Sequence, residues 1–143
     1  MSTEADVAAH VRTVLAGVPY LLTADSCRAG PPRKPTENQL LPGAVPARCV
    51  FALATGGMPA TAFIDGGAGG RDERLTVQLW VRSNPRDYEG GRDLAEAVFG
   101  AVEMNPPPGF YESRAVSSEA AYVREDEQNH HEWSINITLR RCA

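Results

Sequence analysis

Between Leu75 and Val102 the apolar residues change their spacing once, and this change limits the folds open to the chain. Leu75, Val77, Leu79 and Val81 alternate with Thr76, Gln78, Trp80 and Arg82. Strict alternation puts one apolar and one mixed face on a half-buried strand. Ser83, Asn84 and Pro85 form a breaker cluster, and Asp87 is placed to cap a helix. From there Leu94, Ala95, Val98, Ala101 and Val102 recur at helical spacing. A strand that feeds a helix through a short turn can fold the helical stripe back onto the strand's apolar face. That pair predicts a two-layer core.

The rest of the chain is arranged to complete this core. Ser2 or Thr3 can cap a first helix whose stripe is Val7, Val11, Val14, Leu15 and Val18, with Gly17 and Pro19 ending it. His10 lies at the edge of that stripe. Tyr20 to Thr23 is predicted as a short strand or an extended exit. Arg48 to Ala54 is strand-like, Gly56, Gly57 and Pro59 predict a turn, and Ala62 to Ile64 a return strand. After the second helix, the run from Asn105 to Gly109 cannot continue a helix. Phe110 to Val116 and Glu119 to Val123 are predicted as extended. Trp133, Ile135, Ile137 and Leu139 alternate again inside the segment Glu132 to Arg140. The expected fold is α+β: a mainly antiparallel β-sheet with two α-helices packed on one face, read as a single domain over 1–143.

Two segments fit no regular element. Residues 27–46 carry prolines at 31, 32, 35, 42 and 46 and the cations Arg28, Arg33 and Lys34. A loop of this length is either a loose insertion or an arm that orders against a partner. Residues 65–73, from Asp65 to Glu73, read as a Gly-rich hairpin tip. No Lys-Ser or Lys-Thr follows those glycines and no helix opens after them, so a phosphate loop is a poor reading.

Composition excludes several function classes. A net charge of −4 leaves no electrostatic footprint for sequence-independent nucleic-acid binding. No apolar run approaches the roughly 18 residues needed to cross a bilayer, and the acidic, amphipathic start is unlike a secretory signal. The odd number of cysteines, Cys27, Cys49 and Cys142, argues against a disulfide framework and for a reducing, cytosolic origin.

Chemistry is hard to place. His130, His131 and Glu132 form one cluster of metal-ligand types, but neighbours in an extended segment point to opposite faces. Ser117 and Ser118 lie in no nucleophile elbow, and Cys49 falls within an apolar strand, where a thiol is inert. Glu125, Asp126 and Glu127 read as a solvated turn. No catalytic residue and no cofactor is expected.

Taken together, the pattern resembles the small tail-terminator proteins of tailed phages, also described as minor capsid or tail-completion proteins. The resemblance is carried by RCVFALATGGMP after a Pro-rich loop, by VQLWVRSNPRDYEGGRDLAEAV, and by AAYVREDEQNHHEWSINITL, in which an acidic turn precedes the last strand. It spans roughly Ala5 to Leu139 and is weakest over 27–46. It implies a homohexameric ring that caps the tail-tube protein and meets the head-side connector in the neck of the virion, after assembly in the host cytoplasm. DNA would pass through its lumen without specific binding, with no membrane involved. A closing ring needs one patch that matches a different patch on the next copy. The candidate interface residues are Arg33 and Lys34 of the Pro-rich segment, Asp65, Arg71 and Asp72 of the hairpin, and Trp80 and Arg82 of the Leu75 strand. Trp80 either anchors a partner or packs under a loop of its own chain. Three other readings stay open: another neck or head-completion adaptor, a small metal-dependent enzyme using His130, His131, Glu132 or the 65–73 loop, and a module that binds peptides at a sheet edge.

Overall fold

The computed structural model describes residues 2–62 and 71–142. The first helix, α1, spans Thr3–Val14. Ser2 caps it by accepting from the Ala5 N–H at 3.2 Å, and Glu4 and Asp6 place acid in the first turn, where the helix dipole favours it. Its buried residues are Val7, Ala8 and Val11. The expected stripe is thus cut short: Val14 is 45% exposed and Val18 is 87% exposed. The reason is geometric. The Leu15 N–H closes on the Val11 carbonyl and the helix stops, so Val18 no longer follows helical spacing. Tyr20 to Thr23 is neither a strand nor an extended exit: Tyr20 lies in a turn and Leu21 is left-handed at φ +52°.

The strands are β1 (Cys27–Ala29), β2 (Cys49–Ala62), β3 (Arg71–Pro85), β4 (Glu112–Ala115), β5 (Ala121–Glu125) and β6 (His130–Cys142), with the second helix, α2 (Tyr88–Val102), between β3 and β4. They form one sheet in the order β1-β2-β3-β6-β4, and β5 pairs with β6 beside β4. The pairs are antiparallel except β1 with β2, which is parallel. β1 is the first part of the segment expected to be all loop. Three residues are too few to show a hydrophobic period.

β3 is the central strand. Its Leu79 faces Ile135 of β6 on one side and Ala52 of β2 on the other. Val77, Leu79, Val81, Val50, Ala52, Ile135, Ile137 and Leu139 join Val7 and Val11 of α1 and Leu94, Ala95 and Val98 of α2 in one buried cluster. Both helices therefore lie on one face. Each fully buried Val, Leu or Ile here contributes about 1.5–3 kcal/mol through burial, which supports a 15-residue helix that would be marginal alone. A second, smaller cluster of Val45, Cys49 and Phe51, with Trp80 against it, occupies the opposite face.

Two boundaries differ from the sequence reading. β2 runs straight through Gly56 and Gly57, and the register with β3 shifts between Ala54 and Gly56 and again between Met58 and Thr61. A Cβ at Gly57 would lie 2.2 Å from the Arg74 carbonyl, so the glycine marks a close approach within a bulged strand. β3 likewise continues through Ser83 and Asn84 to Pro85, with a register shift after Arg82. Asp87 then caps α2 as expected, accepting from the Gly90 N–H at 3.0 Å. The connection between β2 and β3, including Asp65 and the first residues of the expected hairpin tip, lies outside the described residues.

Candidate interaction surfaces

The residue types that could carry chemistry are engaged structurally. His130 is 3% exposed, and its ring nitrogen lies 3.0 Å from the Asp126 carboxylate. His131 points elsewhere, between the Tyr122 hydroxyl at 2.8 Å and Glu125 at 3.2 Å. The opposed faces of an extended segment explain this separation. Desolvation would raise the Asp126 carboxyl, but donors from the His130 and Gln128 backbone and the His130 ring hold it below its ordinary value. This makes the acidic turn a built corner of the β5–β6 hairpin. Burial pushes the Cys49 thiol up to about 11 and the Cys27 thiol up to about 12, so neither is an activated nucleophile. Among the described residues no group of three or more His, Cys, Asp or Glu is placed to hold a metal.

The helix-free face of the sheet carries a concavity. The segment after β1 does not project as an arm but folds back over this face. Arg28 donates to the Gly43 carbonyl at 2.7 Å, and the Thr36 N–H donates to the Val45 carbonyl at 2.9 Å. Arg82 binds the segment from below, donating to the carbonyls of Ala47 at 2.7 Å, Pro46 at 2.9 Å and also Arg33. Its guanidinium lies 5.3 Å from the centre of the Phe51 ring. Between this fold-back and the β5–β6 turn runs a groove of about 310 Å³ with Trp80 in its wall. Pro32, Arg33, Lys34 and Pro35 line one lip, and Asp126 and Glu127 the other.

The residues singled out from sequence separate into three groups. Trp80, Arg33 and Lys34 meet at the groove, with Trp80 half-buried and its indole N–H donating to Gln78 at 3.0 Å. Trp80 thus packs beside a loop of its own chain while still facing the groove. Arg82 is only 7% exposed and acts as an internal strut, so its side chain is spent on the loop carbonyls. Asp72 is also 7% exposed, because it lies in β3 instead of at a hairpin tip. There it accepts from Arg140 and from the Tyr111 hydroxyl. Arg71 is the first residue of β3, paired with Ala62, and Asp65 lies outside the described residues.

Two exposed apolar features were not anticipated. Val14, Val18 and Leu21 form a knob beyond α1, Leu21 being 55% exposed at φ +52°. The one signal that could have found it is that residues Leu15 to Leu22 carry no charge. Tyr88 and Tyr122 form the second, with ring centres 5.6 Å apart and each packed against Trp133, Tyr88 tilted and Tyr122 edge-on. One comes from the first turn of α2 and the other from β5, so no local pattern joins them.

The family model for the bacteriophage tail terminator protein matches residues 43–141, which takes in every element from β2 to β6. The chain belongs to the tail terminator family. No curated protein matches it significantly. For a tail terminator, a chain whose histidines and thiols serve the fold and whose grooves and knobs face outward is physically coherent. Membership assigns it a structural role in the phage tail and the virion. No helix among the described residues is long and apolar enough to cross a membrane. The matched span leaves out α1, the knob and most of the Pro-rich segment, including Arg33 and Lys34.

Proposed function

We propose that this tail terminator acts without catalysis, as a ring of six copies seated on the last ring of the tail-tube protein. It stops the tube from growing and presents its other side to the head-side connector. DNA passes through the lumen without specific contacts, and assembly takes place in the host cytoplasm. The observation that carries this reading is the family match over residues 43–141. The chemistry of the chain agrees with it. A net charge of −4 is compatible with DNA passing without being retained, because phosphate contacts dominate nucleic-acid affinity.

The test is the solution mass by light scattering, alone and with purified tail tubes, together with tube length. A species of six times 15.4 kDa, or six copies per tube end with growth arrested, is the expected result. A chain that stays monomeric in both settings and leaves tubes growing would sink the proposal.

A further inference from the structure

We propose that the free edge of β1 is a binding site for a phosphate group, held by Arg12, Arg28, Arg33 and the Ala29 N–H. The site is independent of the ring reading. All four residues precede the span matched by the family model, so family membership does not supply it.

A concavity of about 440 Å³ lies at this edge, with Arg12, Arg28 and Arg33 in its wall beside Ala29, Pro31 and Phe51. β1 is the outermost strand and pairs, among the described residues, with β2 alone. A strand in a parallel pair bonds its partner through alternate residues. The Gly30 N–H reaches the Ala52 carbonyl at 2.7 Å and the Ser26 carbonyl accepts from Val50 at 2.8 Å, so Cys27 and Ala29 turn their backbone groups outward. The outward carbonyl of Cys27 accepts from Nη1 of Arg12 at 3.0 Å. The Ala29 N–H points the same way from the next outward position. An acceptor on that N–H therefore sits beside the Arg12 guanidinium, whose Nε and Nη2 have no partner among the described residues.

The other two arginines close the site. Cys27 is buried among the core residues, so strand alternation sends Arg28 to the helix-free face. There its Nε donates to the Asp25 carbonyl at 2.8 Å and its Nη2 to the Gly43 carbonyl at 2.7 Å, which leaves Nη1. Arg33 is exposed, and its side chain has no hydrogen bond or ion pair among the described residues. The carboxylate that offsets this charge is Asp25, 3.5 Å from Arg28 with its side chain 62% exposed. Asp126, Glu127 and Glu132 line the neighbouring groove, which shares Arg33 and Phe51 with this concavity. None of them pairs with Arg33: Asp126 is taken by His130 and Glu132 by Arg124.

Charge and shape then choose the ligand. Three guanidinium groups against one carboxylate leave an excess of positive charge that suits a dianion. The donors arrive from α1, from the edge of β1 and from the segment after it. A carboxylate offers two oxygens in one plane, whereas a phosphate offers three or more on different sides. Guanidinium forks bind such oxygens through strong, charge-assisted hydrogen bonds.

Calorimetric titration of the full chain with inorganic phosphate and with pyrophosphate, at constant ionic strength, tests this. Saturable binding at one site per chain is expected. Arg33→Gln, whose side chain holds nothing in the fold, should melt like the parent and bind about tenfold more weakly or worse. Arg12→Gln should weaken binding as much, with its melting temperature read alongside. Lys34→Gln removes the same charge from the next residue, outside the concavity, and should leave binding within about twofold at physiological salt. Succinate should compete poorly. A short DNA duplex is titrated last: tighter binding than phosphate identifies a nucleic-acid backbone as the source, and binding no tighter identifies a free phosphate, and either supports the site. A folded parent that binds none of these phosphate probes would overturn it. So would parent-like binding by Arg33→Gln, or a Lys34→Gln loss equal to that of Arg33→Gln. Succinate binding as tightly as phosphate would overturn it too, by making the edge a site for acidic peptides. Each of these results leaves the ring reading as it stands.

Discussion

The guanidinium of Arg82 donates to the backbone carbonyl of Arg33, a residue 49 positions earlier in the chain. The same side chain holds the carbonyls of Pro46 and Ala47, so one arginine fastens both ends of the Pro-rich fold-back. This relationship places the Arg33–Lys34 lip over Trp80. Hydrogen bonds from a charged donor contribute about 1.5–3 kcal/mol each, so Arg82→Ala should cost about 3 kcal/mol or more. Arg82→Lys keeps the charge and loses the planar fork, and it should free the segment with a smaller loss. Limited trypsin digestion at the Arg33–Lys34 bond reads this directly. Faster cleavage in both variants is expected. Parent-like cleavage in Arg82→Ala would mean that the segment is held by something else.

Much of this architecture is legible in the sequence where a single period decides. Leu75 to Val81 and Trp133 to Leu139 alternate, the stripe Leu94 to Val102 is helical, and each forms the expected element. Legibility fails where long-range contacts override local chemistry. Gly56 and Gly57 look like a turn, yet both lie in the bulged strand β2, and at Gly57 the Arg74 carbonyl approaches too closely for a side chain. Asp72 looks like a polar hairpin residue, but Arg140, 68 residues later, makes it an internal acceptor. Arg82 looks like one exposed cation among others until the carbonyls it binds are known. The candidate groove was legible only in parts, as Trp80, Arg33 and Lys34, because nothing local says that the Pro-rich segment folds back.

Asp72 makes stability depend on pH in a definite direction. The Arg140 hydrogen bond, then that of Tyr111, holds its carboxyl below the ordinary range. A depressed carboxylate contributes stability that is present above its unfolded-chain value, about 3.9, and is lost as pH falls through the folded value. The urea midpoint should therefore fall as pH drops below about 4. Asp72→Asn should be less stable than the parent at neutral pH, with the gap narrowing in acid. A gap that stays constant from neutral to acid pH would refute the linkage.

Two glycines in α2 should respond oppositely to the same substitution. A Cβ at Gly91 would lie 2.5 Å from the Ser83 Cβ and 2.5 Å from the Trp133 ring, so the helix approaches β6 at that point. Gly91→Ala should destabilise by about 1–3 kcal/mol through overpacking, despite alanine's better helix propensity. At Gly100 a Cβ meets nothing within 4 Å. Gly100→Ala should stabilise by about 0.5–1 kcal/mol. Urea midpoints of the pair check this, with near-ultraviolet dichroism of the Trp133 site altered only by the first. Equal effects would mean that α2 does not rest on Trp133 through Gly91.

The thiols should divide by burial. Cys142 is exposed, whereas Cys27 and Cys49 are buried. A thiol reagent should label Cys142 at once in the folded protein and reach the other two only on unfolding, and Cys142→Ser should abolish the fast phase. The raised values of the buried pair, about 12 for Cys27 and about 11 for Cys49, also fix a sign at alkaline pH. Above the ordinary thiol value of about 8.5 the unfolded chain releases protons that the folded chain retains. Stability should therefore decline as pH rises from there toward the buried values. Cys49→Ala should flatten part of that decline, because it removes a group that titrates only after unfolding. If the alkaline slope is the same with and without Cys49, the thiol does not contribute to it and its burial in the folded chain is incomplete.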